Sequence, residues 1–328
     1  MTPRRAITSV SVPVLLSGCS DVQSALAPMG PDASRIFTLA GILFAGAAVV
    51  MLIVLAALWI AMRGSPDARR GLATDRAVIV GGIAFPTVTL IALLGYGVWV
   101  MRANITPVDA AAVQIEVVGE QWWWRVVYRD AEGRRIESAN EIRIPVGREV
   151  EFRLTSADVI HSFWVPNLAG KLDMFPGRTT TLRLSADRPG VYRGQCAEYC
   201  GGAHALMAME VVAVPEADFA VWLATEAMPA PAPVGETDKR GQTLFLAAGC
   251  GACHAIRGTS ANGVIGPDLT RVGARRFIAA ATLPTSRETL ARVIVDGQHI
   301  KPGNGMPPFR IFSPGELDAL SGYLAGLK

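Results

Sequence analysis

Two long uncharged runs lie near the N-terminus, from Ile36 to Met62 and from Ala77 to Met101. Each run is longer than the roughly 20 residues that an α-helix needs to cross the apolar core of a bilayer. The short connection between them, from Arg63 to Arg76, is rich in arginine, and such loops stay on the cytoplasmic side of a membrane. The pattern therefore predicts a two-helix transmembrane hairpin, at about 36–62 and 77–101, with the rest of the chain on the outer side.

After Arg102 the pattern changes to short runs in which apolar and polar residues alternate. This period of two is typical of strands that bury one face. The runs cover residues 113–118, 122–128, 142–144, 150–154 and 179–184. Turn signals such as Pro145-Val146-Gly147 and Pro176-Gly177-Arg178 separate them. Several short strands of this kind predict a Greek-key β-sandwich or barrel at about 105–214.

Helical patterns return in the C-terminal third of the chain. Residues 216–227 predict a short helix, and the alternating prolines of 228–235 indicate a semi-rigid linker. Beyond the linker, helical patterns cover 239–248 and 286–296, and Ser313-Pro314-Gly315-Glu316 has the form of a capping box that opens a last helix. Residues 236–328 are therefore expected to form a small all-α domain.

The first residues have the order of an export signal. Arg4 and Arg5 precede a short apolar stretch from Ile7 to Leu16, and small residues then lead to Cys19. The Leu-Ser-Gly-Cys sequence resembles a bacterial lipoprotein processing box. Residues 1–18 would then be a signal peptide, and Cys19 would be the lipidated first residue of the 19–104 membrane segment. The alternative is an ordinary cleaved signal followed by a cysteine without a role.

Composition and charge add two restrictions. The chain has 328 residues, which leaves room for about two soluble domains beside the membrane helices. Its formal net charge of +3 comes from scattered Lys and Arg residues without a basic stripe, so nucleic-acid binding is not expected. The five cysteines form one singlet and two close pairs, Cys196 with Cys200 and Cys250 with Cys253. Close pairs suit metal binding or cofactor attachment better than disulfides between distant loops, although a disulfide framework is the alternative.

The first cysteine pair belongs to a group of residues that suits a soft metal ion. His204 and Met207 follow Cys196 and Cys200 closely, and His161 precedes them on an earlier turn. Thiolate and thioether ligands favour copper or zinc, and a methionine ligand argues against structural zinc and for copper. A single blue-copper site would use one cysteine, so the second cysteine suggests two coppers bridged by two thiolates. The alternative is a buried cysteine pair with unrelated His and Met neighbours.

The string Cys-x-Glu-x-Cys-x-x-x-His-x-x-Met, with its earlier histidine in Val159-Ile160-His161-Ser162-Phe163, resembles the dinuclear CuA motif of cytochrome c oxidase subunit II. The resemblance implies a cupredoxin-like domain at about 105–227. It also implies six ligand roles: Cys196 and Cys200 bridge the coppers, His161 and His204 each cap one copper, Met207 binds weakly, and Glu198 binds through its backbone carbonyl. In this family the side chain of that glutamate also serves a Mg or Mn ion shared with subunit I.

Three consecutive tryptophans, Trp122, Trp123 and Trp124, stand near the start of the predicted β domain. Alternation in a strand places the first and third on one face and the second on the other. The segment resembles the aromatic patch of the same family, in which electrons from cytochrome c arrive at the first tryptophan of the run. That role would fall on Trp122, and packing in the β core is the alternative.

The second cysteine pair lies in Cys250-Gly251-Ala252-Cys253-His254, the attachment sequence for haem c. Cys250 and Cys253 would form the thioethers, and His254 would bind the iron. A redox-active disulfide is the alternative, but it does not require the histidine and normally lies in a βαβ context.

Residues 236–328 resemble a class I cytochrome c. The loop around Met306 resembles the distal methionine loop of these domains, so Met306 is the expected axial ligand, in preference to His299. Pro267 would support His254.

Together these features indicate a multidomain membrane protein that carries electrons. The resemblance implies the subunit of a proton-pumping haem-copper oxidase at which electrons arrive. A soluble or membrane-bound c-type cytochrome would reduce haem c, CuA would follow, and the haem of subunit I would reduce oxygen to water. Subunits I and III are the implied partners. The implied location is the bacterial cytoplasmic membrane, with both redox domains on its outer side.

Three other classes remain as alternatives: a carrier for a nitric oxide reductase, a nitrous oxide reductase, and a quinol oxidase subunit without copper. No propeller repeat of a nitrous oxide reductase is visible in the sequence, and the Cys and His residues of the motif argue against the quinol oxidase. The chain departs from the family at one position. The second helix commonly has a glutamate about two turns before its proline, and alignment on Pro86 places Val78 there.

Overall fold

The structure is a computed structural model that describes residues 21–102, 113–130 and 132–328. The predicted signal peptide and Cys19 lie outside the described residues. Two helices have the length and hydropathy of membrane spans, which confirms the two predicted apolar helices. The first is α1 (Pro31–Arg63), and a short helix, α2 (Pro66–Leu72), follows it in the connection.

The second membrane helix consists of α3 (Asp75–Ile79), a π-helical segment (Val80–Ala84) and α4 (Phe85–Arg102). The wider π turn ends next to Pro86, whose ring carries no backbone N–H for an ordinary helical hydrogen bond. The irregular turn therefore allows one continuous helix to pass its proline.

Both helices extend beyond their predicted ends. The helix α1 starts at Pro31, because proline suits the first helical position, and it takes in the ion pair of Asp32 with Arg35 at 2.7 Å. The second helix starts after Thr74, whose hydroxyl accepts a hydrogen bond from the N–H of Ala77. An uncharged run ends at the first charged residue, but the helix continues, because charged and capping residues are favourable at helix ends.

Residues 113–214 form a sandwich of two five-stranded sheets, which confirms the predicted β-sandwich. The strands are β1 (Val113–Glu120), β2 (Trp123–Arg129), β3 (Arg135–Ala139), β4 (Glu141–Pro145), β5 (Val150–Ser156), β6 (His161–Trp164), β7 (Leu172–Met174), β8 (Thr180–Leu184), β9 (Gly190–Cys196) and β10 (Ala208–Val214). The sheet orders are β3-β2-β1-β5-β8 and β4-β10-β9-β6-β7. The core between the sheets includes Trp124, Tyr128, Phe152 and Phe163, all of them buried.

Five strands of the sandwich lie outside the predicted runs: β3, β6, β7, β9 and β10. The strand β10 lies between β9 and β4, and six of its seven residues are apolar. A strand of this kind reads as a continuous apolar run and not as an alternating one. Two other missed strands, β6 and β7, have only four and three residues, too few to show a period.

The segment before α1 packs on the β-sandwich. The N–H of Met29 donates to the carbonyl of Asn167 at 2.7 Å, and the N–H of Asp187 donates to the carbonyl of Met29 at 2.8 Å. A Cβ at Gly30 would overlap the carbonyl of Ser185, so only glycine fits this crossing. The N-terminal segment and the β-sandwich therefore lie at the same end of the helical hairpin.

The helix α5 (Glu216–Ala227) has the predicted bounds. The all-α domain contains α6 (Gly235–Ala247), α7 (Arg287–Ile300) and α8 (Pro314–Gly326), with a two-stranded ribbon of β11 (Phe277–Ile278) and β12 (Leu283–Pro284). The predicted capping box is present, because Ser313 and Glu316 bond reciprocally at the start of α8.

The proline-rich linker is packed against the all-α domain. The N–H of Ala230 donates to the carbonyl of Arg257 at 2.8 Å, and the guanidinium of Arg271 donates to the carbonyl of Pro229 at 3.1 Å. A flexible tether would leave the orientation of the two domains open, whereas these contacts hold the linker in place.

Ionic contacts join the all-α domain to the β-sandwich. The side chain of Arg276 binds the carboxylate of Glu210 at 2.9 Å, and its backbone N–H donates to the carboxylate of Glu141 at 2.9 Å. The guanidinium of Arg257 donates to the carbonyls of Glu137 and Glu226, at 3.1 and 2.6 Å. The interface therefore consists of specific paired groups, which define one relative orientation.

An unusual turn also lies at this interface. Three consecutive alanines, Ala279–Ala281, have positive φ angles of 52°, 55° and 56°, a conformation that costs about 1–2 kcal/mol for each L-residue with a Cβ. The carbonyls of Ala280 and Ala281 accept hydrogen bonds from the N–H of Ala208 and the side chain of Arg193, at 3.3 and 3.2 Å. Contacts across the interface thus hold a backbone shape that is unfavourable by itself.

We expect Gly241→Ala to destabilise the all-α domain by about 1–3 kcal/mol, because a Cβ there would overlap the backbone of Ala319 where α6 crosses α8. The matched control is Gly315→Ala at the start of α8, where a Cβ meets nothing within 4 Å; it should be neutral or slightly stabilising. Chemical denaturation of the purified chain, followed by circular dichroism, measures both. Equal stability of the two variants would contradict the close crossing.

Candidate functional site

The predicted metal-binding residues meet at one end of the second sheet. His161 begins β6, Cys196 ends β9, and Met207 immediately precedes β10. The register pairs Phe163 with Cys196, and the N–H of Cys196 donates to the carbonyl of Met207 at 2.9 Å. Neighbouring strand ends therefore bring together residues that are far apart in the sequence.

The side chains of this Cys-His cluster lie within a few ångströms of one another. The two sulfurs of Cys196 and Cys200 are 3.7 Å apart. The Nδ1 atom of His161 is 3.8 Å from Cys196 Sγ, and the Nδ1 atom of His204 is 3.5 Å from Cys200 Sγ. The thioether sulfur of Met207 is 3.8 Å from Cys200 Sγ. Each thiol thus has one imidazole beside it, and the thioether lies on one side of the pair.

Neighbouring residues hold the ring of His161 in this orientation. Its Nε2 donates to the carboxylate of Asp158 at 2.7 Å, because that oxygen only accepts, and this leaves Nδ1 free to bind a metal. The ring of Trp124 packs against it with centroids 6.2 Å apart. A Cβ at Gly119 would lie 2.7 Å from the imidazole. The ring is fully buried and has little freedom to turn.

The thiol pair is electrostatically prepared for a cation. The hydrogen bond with Cys200 lowers the pKa of Cys196, despite the opposing effect of burial, and His161 lowers it further. The same bond raises the pKa of Cys200. Thiolates are the metal-binding form of cysteine, so the lowered pKa of Cys196 favours metal binding, and a bound cation would favour ionisation of Cys200 as well.

The donor set fits copper. The ligand atoms of His161, Cys196 and Cys200 all lie within 4.8 Å of one another in a buried setting. Two thiols, two imidazoles and a thioether are soft and intermediate ligands of the kind that copper prefers. The paired thiols with one imidazole each correspond to a bridged pair of metal ions more closely than to a single tetrahedral ion.

The backbone and the side chain of Glu198 lie in different surroundings. Its backbone carbonyl lies 3.2 Å from Cys196 Sγ, inside the cluster. Its side chain is 44% exposed and lies 3.5 Å from the ammonium group of Lys171. The residue therefore offers a carbonyl to the cluster and a carboxylate to the surface.

Trp122 lies between the cluster and the all-α domain. It is in the turn before β2, and only 8% of it is exposed. Its indole N–H donates to the carbonyl of Cys200 at 3.0 Å. A Cβ at Gly201 would lie 3.1 Å from the ring, and a Cβ at Gly303 of the all-α domain would lie 3.0 Å from it. Two glycines, one from each domain, thus allow the indole to contact both.

A cavity of about 420 Å³ lies in the all-α domain beside Trp122, within the usual size of cofactor sites. Its lining is mostly apolar and includes residues of both domains. The predicted haem residues on its wall are Cys250, Cys253, His254 and Met306, and the β-sandwich contributes Glu120, Gln121, Trp122, Trp123, Asn140 and Asp158. The cavity is therefore completed by the β-sandwich.

The wall of the cavity suits a haem. The Nδ1 atom of His254 donates to the carbonyl of Pro267 at 2.8 Å, the predicted contact, which leaves Nε2 as the free lone pair. Burial lowers the pKa of His254, so the neutral, metal-binding form prevails. A Cβ at Gly266 would lie 2.5 Å from this ring. On the same wall the buried Nε of Arg275 has no hydrogen-bond partner among the described residues, and a haem carboxylate would satisfy it.

The two candidates for the sixth ligand differ in position. Met306 lines the cavity, and the side-chain amide of Gln298 donates to its carbonyl at 3.1 Å. His299 is exposed and is not part of the lining. The geometry therefore favours Met306 as the ligand.

The sequence patterns missed three residues of the site: Asp158, Arg275 and Lys301. Asp158 stands three residues before His161, and a carboxylate near a metal-binding histidine is a usual partner, so its spacing was a usable signal. Arg275 and Lys301 have no distinctive spacing. Only the folded chain brings their cationic groups to the wall of the cavity.

Comparison with known proteins agrees with this arrangement. Residues 129–214 match the family model of the cytochrome c oxidase subunit II periplasmic domain, and residues 239–328 match that of cytochrome c. Cytochrome c oxidase subunit 2 of Alkalihalophilus pseudofirmus is 32% identical over 328 residues, which cover 96% of this chain and 94% of that protein. The Bacillus subtilis protein of the same name is 31% identical over 244 residues, which cover 69% and 67%.

Among solved structures, the periplasmic domain of subunit II of cytochrome oxidase (CoxB) of Bradyrhizobium japonicum is 32% identical, with a TM-score of 0.34, and covers 37% of this chain and 96% of that one. The fold and the site define an electron-transfer protein with two apolar N-terminal helices, a cupredoxin-like domain and a cytochrome c domain. The chain belongs to the cytochrome c oxidase subunit 2 family.

We expect Cys200→Ser to abolish dinuclear copper binding, because a hydroxyl does not replace a bridging thiolate. The measurement is copper content together with electron paramagnetic resonance of the full chain. The control is Tyr199→Phe, since the neighbouring Tyr199 is exposed and its ring lies 5.7 Å from that of His204. A Cys200→Ser protein with the mixed-valence copper signal of the wild type would disprove the ligand assignment.

Proposed function

We propose that this chain is the subunit through which electrons enter a haem-copper oxidase, and that it carries them from a c-type cytochrome donor to subunit I by way of haem c and CuA. When bound, haem c supplies a one-electron iron centre and CuA supplies two coppers that share one electron. Cys250, Cys253, His254 and Met306 would hold the haem. His161, Cys196, Glu198, Cys200, His204 and Met207 would hold the coppers.

The position of Trp122 is the observation that carries the proposal. Its indole touches the wall of the cavity on one side and bonds to the carbonyl of Cys200 on the other. Cys200 is one of the two proposed bridging residues. A single side chain therefore spans the distance between the two proposed centres, and no mobile carrier is needed between them.

The burial of Trp122 also affects the choice of donor. With only 8% of the residue exposed, an external cytochrome has no access to the indole, because the fused domain covers it. We propose that the external donor reduces the haem domain, and that Trp122 serves the step inside the chain. Trp122 would then accept electrons from the haem domain of its own chain and not from an external cytochrome.

The anchoring of the chain follows from the hairpin and from the packed N-terminal segment. The β-sandwich and residues 24–30 contact each other at one end of the two membrane helices, and the arginine-rich connection lies at the other end. With that connection in the cytoplasm, both redox domains lie on the outer side of a bacterial cytoplasmic membrane. A lipid on Cys19 would add a second anchor on the outer side.

The surface beside the copper cluster suits the partner subunit. Tyr199 is 76% exposed, and the carboxylates of Glu198 and Asp173 lie near one lysine, Lys171. We propose that subunit I covers this surface, and that Glu198 contributes its carboxylate to a shared Mg or Mn ion. We propose that subunit III is a further partner and that the assembled oxidase pumps protons.

We expect Trp122→Phe to slow electron transfer from haem to copper by about tenfold or more, which is about 1.4 kcal/mol in the barrier. Phenylalanine has no N–H to bond the carbonyl of Cys200 and reaches less far towards Gly303. Pulse radiolysis of the full chain, loaded with haem and copper, resolves the two absorbances in time. The control is Trp222→Phe, because Trp222 lies on α5, stacks on Arg143 and does not line the cavity.

The wild-type chain tests the proposal as a whole. Reduction of the haem followed by reduction of the copper within the same chain supports the relay. Haem reduction that never passes to copper would refute it, and so would a chain that binds haem but no copper.

A further inference from the structure

Lys301 is a buried lysine on the wall of the cavity. Only 6% of it is exposed, and it lies on the boundary between the two domains. Its ammonium nitrogen donates to the carbonyl of Trp122 at 2.6 Å and to the carbonyl of Ala279 at 3.1 Å. An ammonium group has three N–H donors, so these two bonds leave one donor for another acceptor.

Among the residues that the structure describes, no carboxylate is a counter-ion for Lys301. None of the carboxylates that the structure describes lies within ion-pair distance of its ammonium group. Burial lowers the pKa of Lys301 to about 7, with a smaller opposing effect of Cys200. A buried cation without a partner is costly, and the protein has placed this one beside a cofactor cavity.

The other buried cation on this wall is in a different situation. Arg275 lies near the carboxylates of Glu226 and Asp268, and its guanidinium also donates to the carbonyl of Asp268 at 2.6 Å. No described carboxylate lies within ion-pair distance of Arg275, but Glu226 and Asp268 are close enough to offset its charge in part, whereas no described carboxylate does so for Lys301. A haem carries two propionate carboxylates, which are the anions that the proposed cofactor would bring into the cavity.

We propose that Lys301 is the counter-ion of a haem propionate and links that carboxylate to the backbone carbonyl of Trp122. The inference rests on the proposed function, since it requires haem c in the cavity. Lys301 is then a positioning residue. It connects the haem, the left-handed turn at Ala279 and the segment of Trp122, so that binding of the cofactor and docking of the two domains reinforce each other.

The test is Lys301→Met in the full chain loaded with haem and copper. Methionine keeps the apolar stem and removes the charge. Loss of a cation beside the haem favours the oxidised iron, so the haem midpoint potential should fall by about 59 mV, a tenfold change in the one-electron equilibrium. Spectroelectrochemical titration measures the haem and copper potentials, and redox-induced infrared difference spectra should show a shifted propionate band.

Two further variants separate this role from a general effect of charge or of packing. Lys301→Arg keeps the charge and should restore most of the potential. Lys239→Met removes the same charge from an exposed position on α6, where Lys239 pairs with Glu236 at 2.9 Å, and should leave both potentials unchanged. If the methionine variant fails to fold, Lys301→Gln keeps hydrogen-bond donors for the carbonyl of Trp122 without the charge and should show the same lowered potential.

An unchanged haem potential and propionate band in the neutral variants would overturn the inference. A fall of the copper potential alone would also overturn it, because the lysine would then serve the copper cluster. Neither result affects the proposed function, which fails only if the wild-type chain does not take up haem and copper or does not pass electrons between them.

Discussion

The contact of Trp122 with both domains is the interaction on which the rest of the site depends. The indole bonds to the carbonyl of Cys200, its ring packs on Gly201 and Gly303, and its own carbonyl accepts the bond from Lys301. Together these contacts join the cavity to the Cys-His cluster. Most of the interface, including the ionic contacts of Arg276, holds the two domains in the orientation that this contact requires.

The two sites obtain their rigidity in the same way. Each proposed metal-binding histidine donates its second ring N–H to a fixed oxygen, His161 to Asp158 and His254 to the carbonyl of Pro267. Each ring is also confined by a glycine, Gly119 or Gly266, where a side chain would not fit. Ligands held in this way need little rearrangement when a metal binds or changes its oxidation state, which suits repeated electron transfer.

Fusion of the cytochrome domain changes what the surface of the β-sandwich does. In a chain without this domain, the aromatic patch would be open to an external partner. Here the cytochrome domain covers Trp122, and the packed linker keeps the two domains together. Two features of this interface are unfavourable by themselves: the left-handed backbone of the alanine turn and the buried charge of Lys301. Contacts across the interface stabilise both.

Local sequence patterns were enough to predict the two apolar helices, the β and α domains and both sets of proposed ligands. Uncharged runs, alternating strands and short-range Cys-His-Met spacing are local properties, which the chain displays before it folds. The ends of the two apolar helices and the strand β10 were not predicted. Charged residues interrupt the uncharged run at a helix end, and burial of both faces removes the alternation of polar and apolar residues in β10. The burial of Trp122, the orientation of His161 by Asp158 and the position of Lys301 on the cavity wall became visible only in the folded chain. These facts depend on contacts between residues up to 179 positions apart, and no local pattern records which distant surfaces will meet.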